Sequence, residues 1–376
     1  MGFHPYTTPY DWSRIDAYKD TAASVPGGMV DLSVGSPVDP VPESVRQALT
    51  YAADEPNAHG YPATIGTAQL RAAITEWFRT SRGVDLERLG AGLVPTVGSK
   101  ESVALMASLL HLGEGDVVVQ PRVSYPTYEI GTQVAGARVL KVDDVADTAS
   151  WKDVPGVRAV WVNSPCNPTG AVLTAAQLHG IVAAARAIGA VVLSDECYAM
   201  LTWDGSHDSP CMLLDEVCEG SPSDVLVLYS LSKQSNMAGY RTALIAGDPA
   251  LVAAMTALRK QLGLIVPGPV QAAMAAGLRD VVAVGRQRER YGRRLDDLVG
   301  ALTAYGYDAA VPAGGLYVWV PAKSGDCWAD MAALAKLGII ASPGEFYGAP
   351  GYLRFSVTAT DGQIRDAVNR LRDAAR

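Results

Sequence analysis

Between about residues 45 and 265 the chain alternates short apolar runs with helix-periodic segments, and this alternation constrains its fold more than any other feature. The runs at 117–120, 139–142, 159–162, 191–193, 225–229 and 243–246 show no polar alternation. A strand of that kind is covered on both faces. Strands of this type separated by helices predict an α/β layer on a mostly parallel sheet, with the ligand at the carboxyl ends of the strands. A large domain over residues 45–266 follows. Strands near 315–320 and 352–357 and a last helix over 361–376 predict a smaller C-terminal α+β domain over 267–376, beginning at Pro267-Gly-Pro269. Residues 1–44 form an N-terminal arm that packs with the smaller domain or crosses to a partner. The charge-rich stretch Arg286-Gln-Arg-Glu-Arg290, followed by Arg293-Arg294, reads as a solvated helix face.

Just past the 225–229 run stands Ser230-Leu-Ser-Lys-Gln-Ser-Asn-Met-Ala-Gly-Tyr-Arg241. Ser230, Ser232 and Arg241 can hold an anion, and Lys233 supplies a primary amine among them. An amine beside an anion cluster suits a Schiff-base cofactor that carries a phosphate, and pyridoxal phosphate meets that description. Ser230-Leu-Ser-Lys233 also matches the Ser-x-x-Lys pattern of serine acyl-enzymes, but the Ser-Asp-Asn and Lys-Thr-Gly that such enzymes need are missing.

Two further clusters follow strands. Asn163-Ser-Pro-Cys-Asn-Pro-Thr-Gly170 is a tight turn from which Asn167 can aim an amide at a ligand. Asp195 ends the aliphatic run 189–193, where an unpaired carboxylate is expensive. A protonated pyridine nitrogen would be its partner and would keep the ring an electron sink. Tyr198 stands three residues on. Upstream, Gly98-Ser-Lys100 precedes a helix over 102–112, whose free N–H groups and dipole favour a phosphate.

In order, Gly98-Ser99-Lys100, Tyr125, Asn167-Pro-Thr-Gly170, Asp195-x-x-Tyr198, Ser230-x-Ser-Lys233 and Arg241 resemble the fold-type-I pyridoxal-phosphate aminotransferases over nearly the whole chain. The resemblance implies that Lys233 carries the cofactor and that Gly98, Ser99, Lys100, Tyr125, Asn167, Asp195, Tyr198, Ser230, Ser232 and Arg241 surround it. It implies that Arg354, in Arg354-Phe-Ser356, grips the substrate α-carboxylate through its planar fork. It further implies that Gly35 lies against the substrate, and that Tyr61 reaches a neighbouring subunit's phosphate in a homodimer with shared active sites. Lys233, Asp195 and Tyr198 would be the catalytic residues.

The implied activity is transfer of an amino group to a 2-oxo acid by a ping-pong route. The segments at 32–40 and 230–241 look like the N-succinyldiaminopimelate aminotransferases of actinobacterial type, which use glutamate and serve lysine biosynthesis. Aspartate, alanine and broad-specificity aminotransferases stay open, as do a carbon–sulfur β-lyase, a decarboxylase and a silent ligand binder on the same fold. Lys100 and Arg122 are candidates for a distal substrate group.

Composition narrows the partners. A net charge of −8 argues against nucleic acid. Five cysteines without framework or metal spacing fit reduced thiols in the cytoplasm and no metal site. The opening Met1-Gly-Phe-His-Pro-Tyr6 carries no secretion or myristoylation signal, and no run approaches the roughly 20 apolar residues of a membrane span.

Overall fold

A computed structural model describes residues 10–56, 58–203 and 209–376; the opening Met1–Tyr6, read above for targeting signals, lies outside the described residues. In chain order the strands are β1 (Val30–Asp31), β2 (Gly92–Val97), β3 (Val117–Pro121), β4 (Arg138–Val142), β5 (Val157–Asn163), β6 (Val191–Asp195), β7 (Val225–Ser230), β8 (Thr242–Gly247), β9 (Tyr317–Pro321), β10 (Ile339–Ile340), β11 (Ser342–Pro343) and β12 (Tyr352–Ser356).

Among the described residues, seven strands make the central sheet in the order β2-β8-β7-β6-β5-β3-β4. Only β8 runs antiparallel to its neighbours; β7, β6, β5, β3 and β4 are mutually parallel. The two-residue period of a strand explains why these runs lack polar alternation. Val160, Val162, Val192, Val225 and Val227 point into one core, shared with the helices Ala68–Ser81 and Ala175–Ala187. Ala159, Trp161, Leu193, Leu226 and Leu228 point into another, filled by Val103, Met106 and Leu109 of the helix Ser99–Leu109 and by Val252 and Met255. Both faces of the sheet are dry, so both need apolar residues.

A second body is built on the antiparallel ladder β11-β12-β9 and the parallel pair β1-β10. Its core combines Ile15, Val30 and Leu32 from the N-terminal arm with Leu295, Leu298, Val318, Phe355 and Leu371. The arm therefore packs with the C-terminal residues of its own chain.

Two expectations need correction. The helix Gly268–Arg279, assigned from sequence to the smaller domain, buries Ala273, Met274, Ala275 and Leu278 in the sheet core against the helices Glu43–Ala53 and Ala68–Ser81. Pro267-Gly-Pro269 looks like a linker, but Pro267 is the N-cap and Pro269 sits in the first turn, where a missing N–H costs nothing. The stretch 286–294 is a solvated face only in part: Arg286, Arg288, Glu289 and Arg293 are exposed, as expected, whereas Gln287, Tyr291 and Arg294 turn inward. Arg294 is 3 % exposed and clamps Asp39 with both Nη atoms at 2.8 Å while its Nε donates to Asp361 at 2.6 Å. Gln287, also buried, donates to Asp39 and accepts from Asn236. Of the charges in this stretch, Arg290 and Arg294 meet Asp39, far away in the chain, and Arg294 also meets Asp361.

Candidate active site

The carboxyl ends of β5, β6 and β7 and the helix start after β2 open on a cavity of about 660 Å3, whose far wall comes from β9, β12 and the N-terminal arm. Its lining includes Gly35, Ser99, Lys100, Tyr125, Asn167, Asp195, Tyr198, Ser230, Ser232, Lys233, Arg241 and Arg354. Gly98 flanks it by packing on Arg241. Tyr61 is not in this cavity; it is fully exposed beside a separate apolar hollow with Ile65 and Val252. Arg122 also lies elsewhere, paired with Asp143 at the surface.

One end of the cavity suits an anion. Gly98 is the N-cap of the helix Ser99–Leu109 with a φ of 78°, and a Cβ there would overlap the Arg241 guanidinium. Arg241 donates to the Ala238 carbonyl at 2.7 Å and to the Val97 carbonyl at 3.4 Å, and forms no ion pair among the described residues. The Ser230 hydroxyl caps the backbone N–H of Ser232 at 3.1 Å and lies 2.8 Å from the Ser232 hydroxyl. Free N–H groups, two hydroxyls and a guanidinium with no carboxylate partner among the described residues form an anion cradle.

The floor suits a cation. Asp195 is 6 % exposed and accepts from the Tyr128 hydroxyl at 2.7 Å and from the Cys197 N–H at 3.1 Å. Burial pushes its pKa above the ordinary carboxylate range, although those two hydrogen bonds pull it down. No Lys or Arg pairs with it among the described residues. Neighbouring Glu196, by contrast, has Arg82 at 2.8 Å. Asn163 ties the floor together, donating to the Asp195 carbonyl at 2.9 Å and accepting from the Asn167 N–H at 2.7 Å.

The far wall carries a second anion-binding point. Arg354 is 4 % exposed; its Nη1 donates to Asn167 Oδ1 at 2.8 Å and its Nη2 to the Ser33 carbonyl at 2.7 Å, while Nε is buried without a partner. Its guanidinium lies over the rings of Tyr317 and Tyr347, at 3.9 and 4.6 Å. The Lys233 amine, half-buried between floor and wall, donates to the Gly35 carbonyl.

Tyr128, Asn163, Cys197, Tyr317 and Tyr347, together with Tyr10 and Trp12 of the arm, escaped the sequence reading. Only Tyr128 had a legible signal, one helical turn beyond Tyr125. The others reach the cavity through the fold.

These residues fit pyridoxal phosphate: an anion cradle, a buried acid lacking a cation, an amine between them and a fork for a carboxylate. The chain matches the family aminotransferase class I and II over residues 27–371. It is 43 % identical over 365 residues to a 4-dedimethylamino-4-oxo-anhydrotetracycline transaminase of Streptomyces rimosus, covering 96 % of this chain and 98 % of that one. It is 31 % identical over 358 residues to an LL-diaminopimelate aminotransferase of Dehalococcoides mccartyi, covering 91 % and 90 %. A solved aspartate aminotransferase single mutant from Thermus thermophilus superposes with a TM-score of 0.84 at 25 % identity, covering the whole of both chains.

Proposed function

The chain belongs to the class I and II aminotransferases, enzymes that depend on pyridoxal phosphate, and from that premise we propose that it moves the amino group of glutamate to a 2-oxo acid, with N-succinyl-2-amino-6-oxopimelate as acceptor. The observation that carries the reading is the pairing of two anion points, Arg241 and Arg354, on opposite sides of Lys233 and Asp195 in one cavity. Bound there, pyridoxal phosphate supplies an aldehyde for amines and a ring that takes up the electron pair left at a substrate α-carbon.

The chain's own residues do the rest. Ser99, Ser230, Ser232 and Arg241 would hold the phosphate, Asp195 would face the ring nitrogen, Tyr125 would cover the ring, and Asn167 and Tyr198 would meet its phenolic oxygen. Arg354 fixes the substrate α-carboxylate, so the α-hydrogen faces Lys233. The Nζ of Lys233 would take the proton from the α-carbon as base and, as acid, give it to the carbon that bore the cofactor's aldehyde. Residues of both bodies, Asp195 on one side and Tyr317 and Arg354 on the other, line the cavity around the half-buried amine.

Lys100 supports a substrate with a distal carboxylate, because it lines the mouth of the cavity, is exposed and has no ion pair among the described residues. The diaminopimelate relative supports a long acyclic amino acid. A second reading, a bulky cyclic ketone as acceptor, is favoured by the name of the Streptomyces relative. Tyr61, fully exposed, supports a homodimer in which it reaches the partner's phosphate; no helix among the described residues is long and apolar enough to cross a membrane, and we place the enzyme in the cytoplasm.

The test is an absorbance spectrum of the loaded protein before and after L-glutamate, then after each acceptor. Loss of the visible band with glutamate and its return with N-succinyl-2-amino-6-oxopimelate is the expected result. Return only with a cyclic ketone selects the second reading, and a band that glutamate leaves untouched overturns glutamate as donor.

A further inference from the structure

Tyr317 opens β9, is 3 % exposed and holds three of the cavity's groups at once. Its hydroxyl lies 2.9 Å from that of Tyr198, the hydrogen-bond partner of Tyr198 among the described residues. Its ring is the face on which the Arg354 guanidinium rests, at 3.9 Å. Its hydroxyl and ring edge fill the space that a Cβ on Gly35 would need, and the carbonyl of that same glycine receives the Lys233 amine. Gly35 has no positive φ to explain it. The side chain it lacks is excluded by Tyr317, not by backbone strain.

We propose that Tyr317 is a positioning residue of the transamination: its hydroxyl sets the direction of the Tyr198 hydroxyl, its ring carries Arg354, and glycine at position 35 is the condition for both. The inference rests on the aminotransferase reading above. Three functions then meet at one ring. Tyr317→Phe keeps the Arg354 platform and loses the hydroxyl pair; Tyr317→Leu loses both. The pair stands in an unusual field. Burial works against ionisation of Tyr317, but Lys233, Arg354 and the hydrogen bond with Tyr198 prevail and hold its pKa below that of an ordinary tyrosine. Burial drives Tyr198 the other way. The remaining titratable groups around Tyr317 are Cys197, Tyr125, Tyr291 and Tyr347, none of them cationic.

The experiment compares wild type with Tyr317→Phe, Tyr317→Leu, Gly35→Ala and the Gly35→Ala/Tyr317→Leu double variant. In the cofactor-free protein, the ultraviolet tyrosinate band of wild type should show one tyrosine ionising below the ordinary value of about 10, a step absent from Tyr317→Phe. In the loaded protein, Tyr317→Phe should lower kcat about tenfold, the loss of one good hydrogen bond, with KM for glutamate within about twofold. Tyr317→Leu should also raise KM. Gly35→Ala should be damaging with Tyr317 present, and its effect should be far less than additive with Tyr317→Leu. An early tyrosinate step that survives in Tyr317→Phe, together with wild-type kcat, overturns the proposal whatever the donor turns out to be. Additive effects of Gly35→Ala and Tyr317→Leu overturn the role given to the glycine. A wild type that loses the early step on Tyr317→Phe yet never transaminates upholds the tyrosine pair and defeats the functional reading.

Discussion

Gly98 and Arg241 lie 143 positions apart and occupy each other's space: the Arg241 guanidinium fills the volume a Cβ on Gly98 would take. The φ of 78° at Gly98 is also one that only glycine adopts cheaply. Gly98→Ala should therefore displace Arg241 and weaken cofactor binding by about tenfold or more, the worth of a charge-assisted contact. Fluorescence titration of the cofactor-free variant with pyridoxal phosphate measures it; unchanged affinity would separate Arg241 from the phosphate.

Lys233→Ala should bind the cofactor without covalent attachment and lose turnover by at least about 10⁴-fold, because proton carrier and amine disappear together. Steady-state rates with glutamate, alongside mass spectrometry after borohydride treatment, check both halves. Activity near the wild-type level removes Lys233 from the mechanism.

Asp195→Asn should separate stability from function. The buried, unpaired carboxylate costs the empty protein stability, so the isosteric amide should raise its Tm by about 1–3 °C. The sign agrees with the raised pKa of Asp195: its contribution is a penalty that grows as pH rises through the carboxylate range and is absent when the group is protonated. The same variant should gain less than wild type on adding cofactor, since no anion then faces the ring nitrogen. Calorimetry of both proteins with and without cofactor reads the difference, and an Asn variant that gains as much as wild type would break the assignment.

Asp39 predicts an acid limb. Burial opposes its ionisation, but hydrogen bonds from Arg294 and Gln287 prevail and hold its pKa below the usual carboxylate value. A lowered folded pKa gives stability that is complete above the unfolded value of about 4 and drains away as pH falls through the folded one. Thermal unfolding of Asp39→Asn should be lower than wild type at neutral pH, and the gap should close below about pH 4. A gap constant with pH would mean that the charge on Asp39 is immaterial.

Arg354→Lys should raise KM for glutamate roughly 10- to 100-fold, because an ammonium cannot present two parallel donors to a carboxylate. It also leaves Asn167 Oδ1 and the Ser33 carbonyl without the Nη donors they now receive. Initial-rate kinetics over a range of glutamate decide the matter, and an unchanged KM would place the α-carboxylate elsewhere.

What the sequence by itself determined is local. Continuous apolar runs such as 225–229 identify strands covered on both faces, because a run without alternation has no side to give to water. The order of Gly98, Asn167, Asp195 and Lys233 was equally legible, since each stands at or just past a strand end, and Arg241 follows in the same motif, directly before β8. What only the tertiary structure decided are the meetings between distant positions. Arg294 is a charge in the sequence and a buried clamp on Asp39 and Asp361 in the fold. Tyr317 carries no motif, yet it touches Tyr198 and Arg354 and excludes a side chain from Gly35. The helix Gly268–Arg279 follows a proline pair that reads as a boundary, and its apolar face nevertheless joins the sheet core. Patterning and periodicity act over a few residues, whereas burial, charge pairing and exclusion depend on which surfaces the packed chain brings together.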